Sequence, residues 1–329
     1  MMNASPSYVE SLKIAASFIR EGDHFLVVSH LSPDGDAVSS TAAVGWILHA
    51  LGKKYTLINE GKIPGKFTHL LGGQPILDYA EEPPEGRYDR VIALDCADFE
   101  RIGAVRHAFA EDVRLLNIDH HPTNDAYGYH NLILTEAAAT VEIIFDLAET
   151  LGVEWTKPLA TCIYAGLLTD TGGFRYSNTT PKVLSIGERM LRAGADGASL
   201  AEALLETMTF PQVQLLKETL STLTFSADRK IAWVSVCREM LQRVGASDED
   251  TEGLVNIPRN VIGVEVGLLF KQKSADTVKI SMRASGSVDV SKLAKRLGGG
   301  GHVRAAGCTV HGTLDDAVKK IVEAVAAEL

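Results

Sequence analysis

Two of the chain's ten histidines stand side by side in NIDHHPTN, residues 117–124, behind Asp119 at the end of an apolar run. Alone, Asp119-His120-His121 reads as a polar turn at a strand end, so its meaning depends on the rest of the chain. Three other element ends offer similar chemistry. SHLSPDGDA supplies His30, Asp34 and Asp36, ALDCAD supplies Asp95, and LLTDTGGF supplies Asp170. Oxygen and nitrogen donors without thiolate suit Mn²⁺, Mg²⁺, Fe or Co better than a structural zinc. Carboxylates clustered without cations would repel one another. Two divalent ions about 3.5–4 Å apart would remove that cost, activate a water and stabilise the leaving oxygen of a phosphoryl displacement.

Each fragment also has a plainer reading. Pro33-Asp34-Gly35-Asp36 can be a turn that aims two carboxylates into one space, or a helix N-cap that satisfies free N–H groups. Asp95 reads equally as a strand-end turn residue, and Asp170 with Gly172 and Gly173 as a helix C-terminal turn. The set gains weight because every member falls where an apolar strand or helix ends.

Those ends belong to a regular alternation. HFLVVSH (24–30), KYTLINE (54–60), RVIALD (90–95) and VRLLNID (113–119) are short, continuous and rich in Val, Ile and Leu, as buried strands are. AVSSTAAVGWILHALG (37–52) has helical spacing and stops at Gly52, and AAATVEIIFDLAETLG (137–152) and PLATCIYAGLLTDTGGF (158–174) are also helical in pattern. The fold class is therefore α/β with an N-terminal parallel sheet, whose carboxyl edge is where ligands bind. From about Thr180 to Leu220 helix follows helix. Strand-like TLTFSA, IAWVSVC, VIGVEVGLLFK and TVKISMRAS come next, then the helical VSKLAKRLG and TLDDAVKKIVEAVAAEL. The expected division is 1–190, a helical linker 191–215, and a smaller α/β domain 216–329 with a mixed sheet.

Composition narrows the class. About 46% of the 329 residues are hydrophobic and 22% charged, the profile of a globular protein with room for two cores. With 32 Lys and Arg against 42 Asp and Glu, the net charge of -10 argues against binding long DNA or RNA, which requires many phosphate contacts. A short anion held by a local cluster remains compatible. The four cysteines, 96, 162, 237 and 308, form no CxxC pair, and no stretch approaches the roughly 20 apolar residues of a membrane span. A reducing cytoplasm and no membrane partner are expected.

SHLSPDGDA, ALDCAD, IDHHPTN and LLTDTGGF, in that order, resemble the four motifs of the DHH phosphoesterase superfamily. GGGGHVRAAG (298–307), preceded by MRAS (282–285), resembles its DHH-associated domain. The resemblance spans nearly the whole chain. It implies two divalent cations, Mn²⁺ first and Mg²⁺, Co²⁺ or Fe²⁺ as alternatives. One would be held by His30, Asp34 and Asp95, the other by Asp36, Asp95, His120 and Asp170, with Asp95 bridging. His121 would face the substrate phosphate and Asp119 would orient a histidine.

The glycine run Gly298–Gly301 reads by itself as a flexible loop, or as a nest whose exposed N–H groups admit an anion. Within the resemblance, Arg283, Ser285, Gly299, Gly300, Gly301, His302 and Arg304 are expected to bind substrate, with Arg304 at the start of a helix in HVRAAG. Cys96, the three tryptophans and the remaining histidines are read as core or surface residues.

A compact two-domain chain with GGGGH is similar to the oligoribonuclease and pAp-phosphatase group. That group degrades very short RNA, 3'-to-5' or otherwise end-specifically, and dephosphorylates 3'-phosphoadenosine 5'-phosphate (pAp). The alternatives are a phosphodiesterase of cyclic di-AMP or linear pApA and, from another class, a non-catalytic nucleotide sensor. The resemblance also implies a homodimer, and the helical segment near 190–215 is expected to act as a hinge for domain closure.

Overall fold

Buried Val, Ile and Leu runs at 25–29, 55–59 and 88–94 dictate strands covered on both faces, and strands of that kind organise the N-terminal half. The computed structural model describes residues 6–285 and 288–329. The N-terminal MMNAS, and Gly286 and Ser287 within the expected second domain, lie outside the described residues. The chain divides into two compact units, Met1–Thr207 and Met208–Leu329, at a break inside the stretch expected as a linker.

The first unit begins with helix α1 (Pro6–Glu21), followed by β1 (Phe25–Ser29), α2 (Gly35–Ala50), β2 (Tyr55–Asn59), β3 (Ile76–Asp78), β4 (Tyr88–Leu94), β5 (Phe109–Asp119) and β6 (His130–Ile133). Helices α3 (Thr140–Leu151), α4 (Lys157–Asp170), α5 (Pro181–Arg192) and α6 (Gly197–Ala201) complete it, with a π-helical turn over Glu202–Glu206. The six strands run in the order β3-β2-β1-β4-β5-β6 and every pairing is parallel. One face packs Val27, Ile92, Leu94, Leu116 and Ile118 against the helices. The other packs Leu26, Val28, Val91 and Ala93 against the segment around Ile102 and Val105. Parallel pairing sends every carboxyl end to one edge, which brings the ends of β1, β4 and β5 together there.

The four expected strands are present with ends within a few residues. β3 and β6 were not expected, because runs of three and four residues are too short to signal. The segment 158–174 is helical only to Asp170. Its helix is capped at Thr171, and Gly172 and Gly173 take positive φ of 57° and 74°.

The second unit holds α7 (Phe210–Leu220), β7 (Thr224–Phe225), β8 (Ile231–Val236), α8 (Arg238–Val244), α9 (Asn256–Arg259), β9 (Val266–Ser274), β10 (Thr277–Ala284), α10 (Val290–Arg296), β11 (Gly300–His302), β12 (Ala305–His311) and α11 (Leu314–Ala326). Its sheet runs β11-β12-β10-β9-β8-β7 and is mixed, since β8 pairs β9 in parallel and the other pairs are antiparallel. The fold class is thus as expected.

Three local expectations are corrected. The expected strand from Val261 begins only at Val266, because 261–264 closes a turn through the Val264 N–H to the Val261 carbonyl. HVRAAG does not start a helix: His302 ends β11, Val303 and Arg304 form a hairpin turn, and Ala305 starts β12. The first half of the glycine run is not an open nest. Gly298 and Gly299 donate their N–H groups to the Lys295 and Ala294 carbonyls, and Gly300 and Gly301 lie opposite Gly307 and Ala306. A Cβ at Gly299 would lie 2.1 Å from the Gly307 carbonyl oxygen, so close strand approach accounts for that glycine.

Candidate metal centre

Asp34 shows that the two readings of PDGD are compatible. It is the N-cap of α2, with Oδ1 accepting from the Asp36 and Ala37 N–H groups at 3.1 Å each. It also joins His30 and Asp95 in a group of converging donor atoms. Asp36, one residue inside the helix, is fully buried and joins His120 and Asp170 in a second group. Asp95, Asp119 and His121 form a third. Every residue expected to hold a cation therefore falls into one of two groups at the carboxyl edge.

Asp95 follows β4 directly and takes φ of 56°, a left-handed conformation costly for a residue with a Cβ. Its N–H is anchored to the Ile118 carbonyl at 3.0 Å. The turned backbone lets one carboxylate face two ways. Oδ2 lies 3.6 Å from His30 Nε2, and Oδ1 lies 3.6 Å from His120 Nε2. His120 Nε2 is also 3.5 Å from Asp170 Oδ2.

The ring tautomers follow from the opposite nitrogens. His30 Nδ1 donates to the Leu31 carbonyl at 2.8 Å and His120 Nδ1 to the Ala137 carbonyl at 3.2 Å. A carbonyl can only accept, so in the neutral ring each Nε2 carries a lone pair aimed at carboxylate oxygens. Separations of 3.5–3.6 Å are too long for good hydrogen bonds but leave room for a cation between acceptors.

The electrostatics agree with that chemistry. Burial, followed by the charges of Asp95 and Asp34, pushes the Asp36 carboxyl well above its ordinary range. Burial with the charges of Asp36, Asp34 and Asp95 does the same to Asp170, which ends α4 where the helix dipole also disfavours a negative charge. Burial pushes Asp95 up too, but its contact with His30 and the nearby His121 and His120 rings hold it below the usual carboxylate range. Two acids that resist ionisation on their own, Asp36 and Asp170, joined by Asp95 and faced by imidazole lone pairs, are a donor set that fits divalent cations.

His121 is held differently. Its Nδ1 donates to Asp119 Oδ1 at 2.7 Å, and Asp119 also accepts from the His120 N–H at 2.8 Å and from Asn124 Nδ2 at 2.6 Å. Burial disfavours the charged ring, but the Asp119 hydrogen bond and the Asp95 charge outweigh it and raise the His121 pKa to about 9.

Several positioning residues were missed by sequence reasoning. Thr140 opens α3; its N–H donates to Asp36 Oδ2 at 2.6 Å and its hydroxyl to Asp95 Oδ1 at 2.9 Å. Val141 N–H donates to Asp36 Oδ1 at 3.2 Å, so Asp36 docks on the positive end of α3. Gly166 makes the space: a Cβ there would lie 2.8 Å from Asp36 Oδ1. Asn124 lies within the quoted NIDHHPTN, a signal present but unused. Asn178, whose Nδ2 donates to the Ala138 and Asp170 carbonyls, gave no signal.

In the second unit, the expected substrate residues gather at one end of the mixed sheet. Arg283 lies opposite Ala305, Ser285 Oγ donates to the Val264 carbonyl at 2.5 Å, and His302 also faces Ala305 across the hairpin. The Arg304 carbonyl accepts the Ala284 N–H at 3.0 Å, and its side chain is exposed.

Comparison with known proteins agrees with both units. Residues 24–167 match the DHH family, N-terminal domain, and residues 233–329 the DHHA1 domain. The chain is 35% identical over 329 residues to the bifunctional oligoribonuclease and PAP phosphatase NrnA of Thermus thermophilus, covering 98% of this chain and 96% of that protein. The protein of the same name from Bacillus subtilis is 27% identical over 293 residues, covering 88% of this chain and 90% of the relative. The crystal structure of an exopolyphosphatase-related protein from Bacteroides fragilis is similar at a TM-score of 0.87 and 27% identity, covering 97% and 96% of the two chains. Full-length similarity, both domain matches and the two converging donor groups lead to one assignment: the chain belongs to the DHH family.

Proposed function

We propose that this chain is a Mn²⁺-dependent phosphoesterase that degrades very short oligoribonucleotides from one end and dephosphorylates pAp. The observation that carries the reading is Asp95, whose two oxygens face His30 and His120 in two separate donor groups. The printed activities of the Thermus and Bacillus relatives supply the substrate class. The acidic net charge supports short substrates, since long nucleic acid needs a basic track.

In this reading His30, Asp34 and Asp95 hold one divalent cation, and Asp36, Asp95, His120 and Asp170 the other. Cations bound there supply water activation near neutral pH and neutralise charge on the phosphoryl oxygens. Thr140 and the first amides of α3 keep Asp36 and Asp95 in place. Asp119 fixes His121 in its protonated form, so that Nε2–H can donate to a phosphoryl oxygen as charge develops on it. Arg283, Ser285 and His302, with Arg304 and glycines 299–301, contribute affinity for the nucleotide. A cytoplasmic location suits the four cysteines, all of which are free.

The test is a pair of variants. Asp95→Ala is expected to abolish turnover of pAp, and Arg283→Ala mainly to raise KM with kcat retained. Turnover that survives Asp95→Ala would refute the reading.

A further inference from the structure

At the other end of the same strands, Arg90 on β4 and Arg114 on β5 are Cα partners. Adjacent parallel strands lie about 4.8 Å apart, so the two guanidinium groups leave one face side by side, an arrangement that like charge disfavours. Acids are plentiful in this chain, with 42 of them. Yet among the described residues neither arginine has a carboxylate within ion-pair distance. Instead each lies against a ring: Arg90 is 5.2 Å from the Phe18 centroid and Arg114 is 5.7 Å from that of Tyr129.

His130, at the start of β6, meets both rings edge-on, at 5.8 Å from Phe18 and 4.6 Å from Tyr129. Burial and the charges of Arg114 and Arg90 lower its basicity, as expected of an imidazole beside two uncompensated cations. Phe18, Arg90, Arg114 and His130, with Ser17 of α1, line a cleft of about 250 Å³, and Tyr129 flanks it through its contacts with Arg114 and His130. Two acids, Glu10 and Glu21, also line the cleft. Glu10 is paired with Lys13 at 3.9 Å, and Glu21 forms no ion pair among the described residues. Arg90 is five residues before Asp95, roughly 16 Å along an extended strand, so the cleft is separate from the metal centre.

We propose that this cleft is a second, non-catalytic binding site for a nucleotide monophosphate. Its phosphate would lie between Arg90 and Arg114, whose planar forks match phosphate oxygens. Its base would pack on Tyr129, a residue 62% exposed whose ring already lies against Arg114. Two side-by-side cations then gain a counter-charge at contact distance, which no carboxylate among the described residues supplies, and the aromatic flank selects a nucleotide over a bare oxyanion.

Equilibrium dialysis of the full chain with labelled 5'-AMP or inorganic phosphate, without metal, tests this. The expected result is AMP binding that survives Arg283→Ala and weakens at least about tenfold in Arg90→Gln/Arg114→Gln, with turnover of pAp unchanged in the double variant. Tyr129→Ala should weaken AMP binding and leave phosphate binding unaltered. Glu21→Gln, which keeps both arginines and removes a negative charge from the lining, should tighten both ligands and guards against misfolding of the double variant. AMP binding unaffected by the double variant, or lost entirely with Arg283→Ala, would overturn the site. Equal affinity for AMP and phosphate, insensitive to Tyr129→Ala, would overturn the nucleotide assignment.

Discussion

Thr140 donates its hydroxyl to Asp95 Oδ1 at 2.9 Å, and that oxygen also faces His120 Nε2 at 3.6 Å. The same residue's N–H fixes Asp36 at 2.6 Å. One small polar residue at a helix start therefore orients a carboxylate from each of two donor groups.

Replacing it isolates that role. Thr140→Val keeps the shape and the backbone amide but removes the hydroxyl. Mn²⁺ affinity measured by calorimetry is expected to fall about 10–100-fold, with Thr140→Ser restoring most of it. Unchanged Mn²⁺ affinity in the valine variant would show that Asp95 needs no such support.

His121 is held by Asp119 for a different purpose. His121→Gln should lower kcat for pAp by about 10²–10³ with little change in metal affinity, because it removes a donor to the phosphoryl oxygen. Asp119→Asn should show a smaller loss in kcat. A variant that loses Mn²⁺ binding instead would place His121 among the metal ligands.

A buried charge group away from the centre gives a pH-dependent stability. Lys182 Nζ lies 2.7 Å from Asp146 Oδ2 and 3.0 Å from Glu142 Oε1, and Tyr8 donates to Asp146 at 3.0 Å. Burial disfavours the Lys182 ammonium, but the hydrogen bond to Asp146 and the charges of Glu142 and Asp146 raise its pKa above 10.5. Its contribution is therefore complete below that value and lost only as pH rises beyond it. Lys182→Met leaves two buried carboxylates without their cation. At neutral pH it should cost about 1–3 kcal/mol, allowing for the half-exposed lysine. The deficit should persist from pH 5 to 8 and shrink only as pH rises past 10.5, where the wild-type lysine loses its charge. Denaturant melts at pH 8 and about pH 11 check this; a deficit as large at the higher pH as at pH 8 would contradict it.

The residues proposed to hold cations were legible because each sits beside the end of an apolar strand or helix, and parallel pairing brings the strand ends to one edge. Thr140 was not, since AAAT reads only as a helix start and its partners lie 104 and 45 residues away. Asp34 was legible twice over, as cap and as ligand, and the structure uses it as a cap while placing it in the donor group. HVRAAG misled because alanine favours helix locally, whereas pairing of Ala305, Ala306 and Gly307 with β10 decides the outcome. Gly298 and Gly299 misled for a related reason: their N–H groups look free in sequence and meet carbonyls only in the folded chain.

The most direct measurement is a set of initial rates with Mn²⁺ on pAp, pApA, cyclic di-AMP and 5'-labelled RNAs from dinucleotides to about twenty nucleotides. The expected result is fast turnover of pAp and of the shortest RNAs, falling as length increases. Preference for cyclic di-AMP or pApA, or no turnover of any substrate, would contradict it.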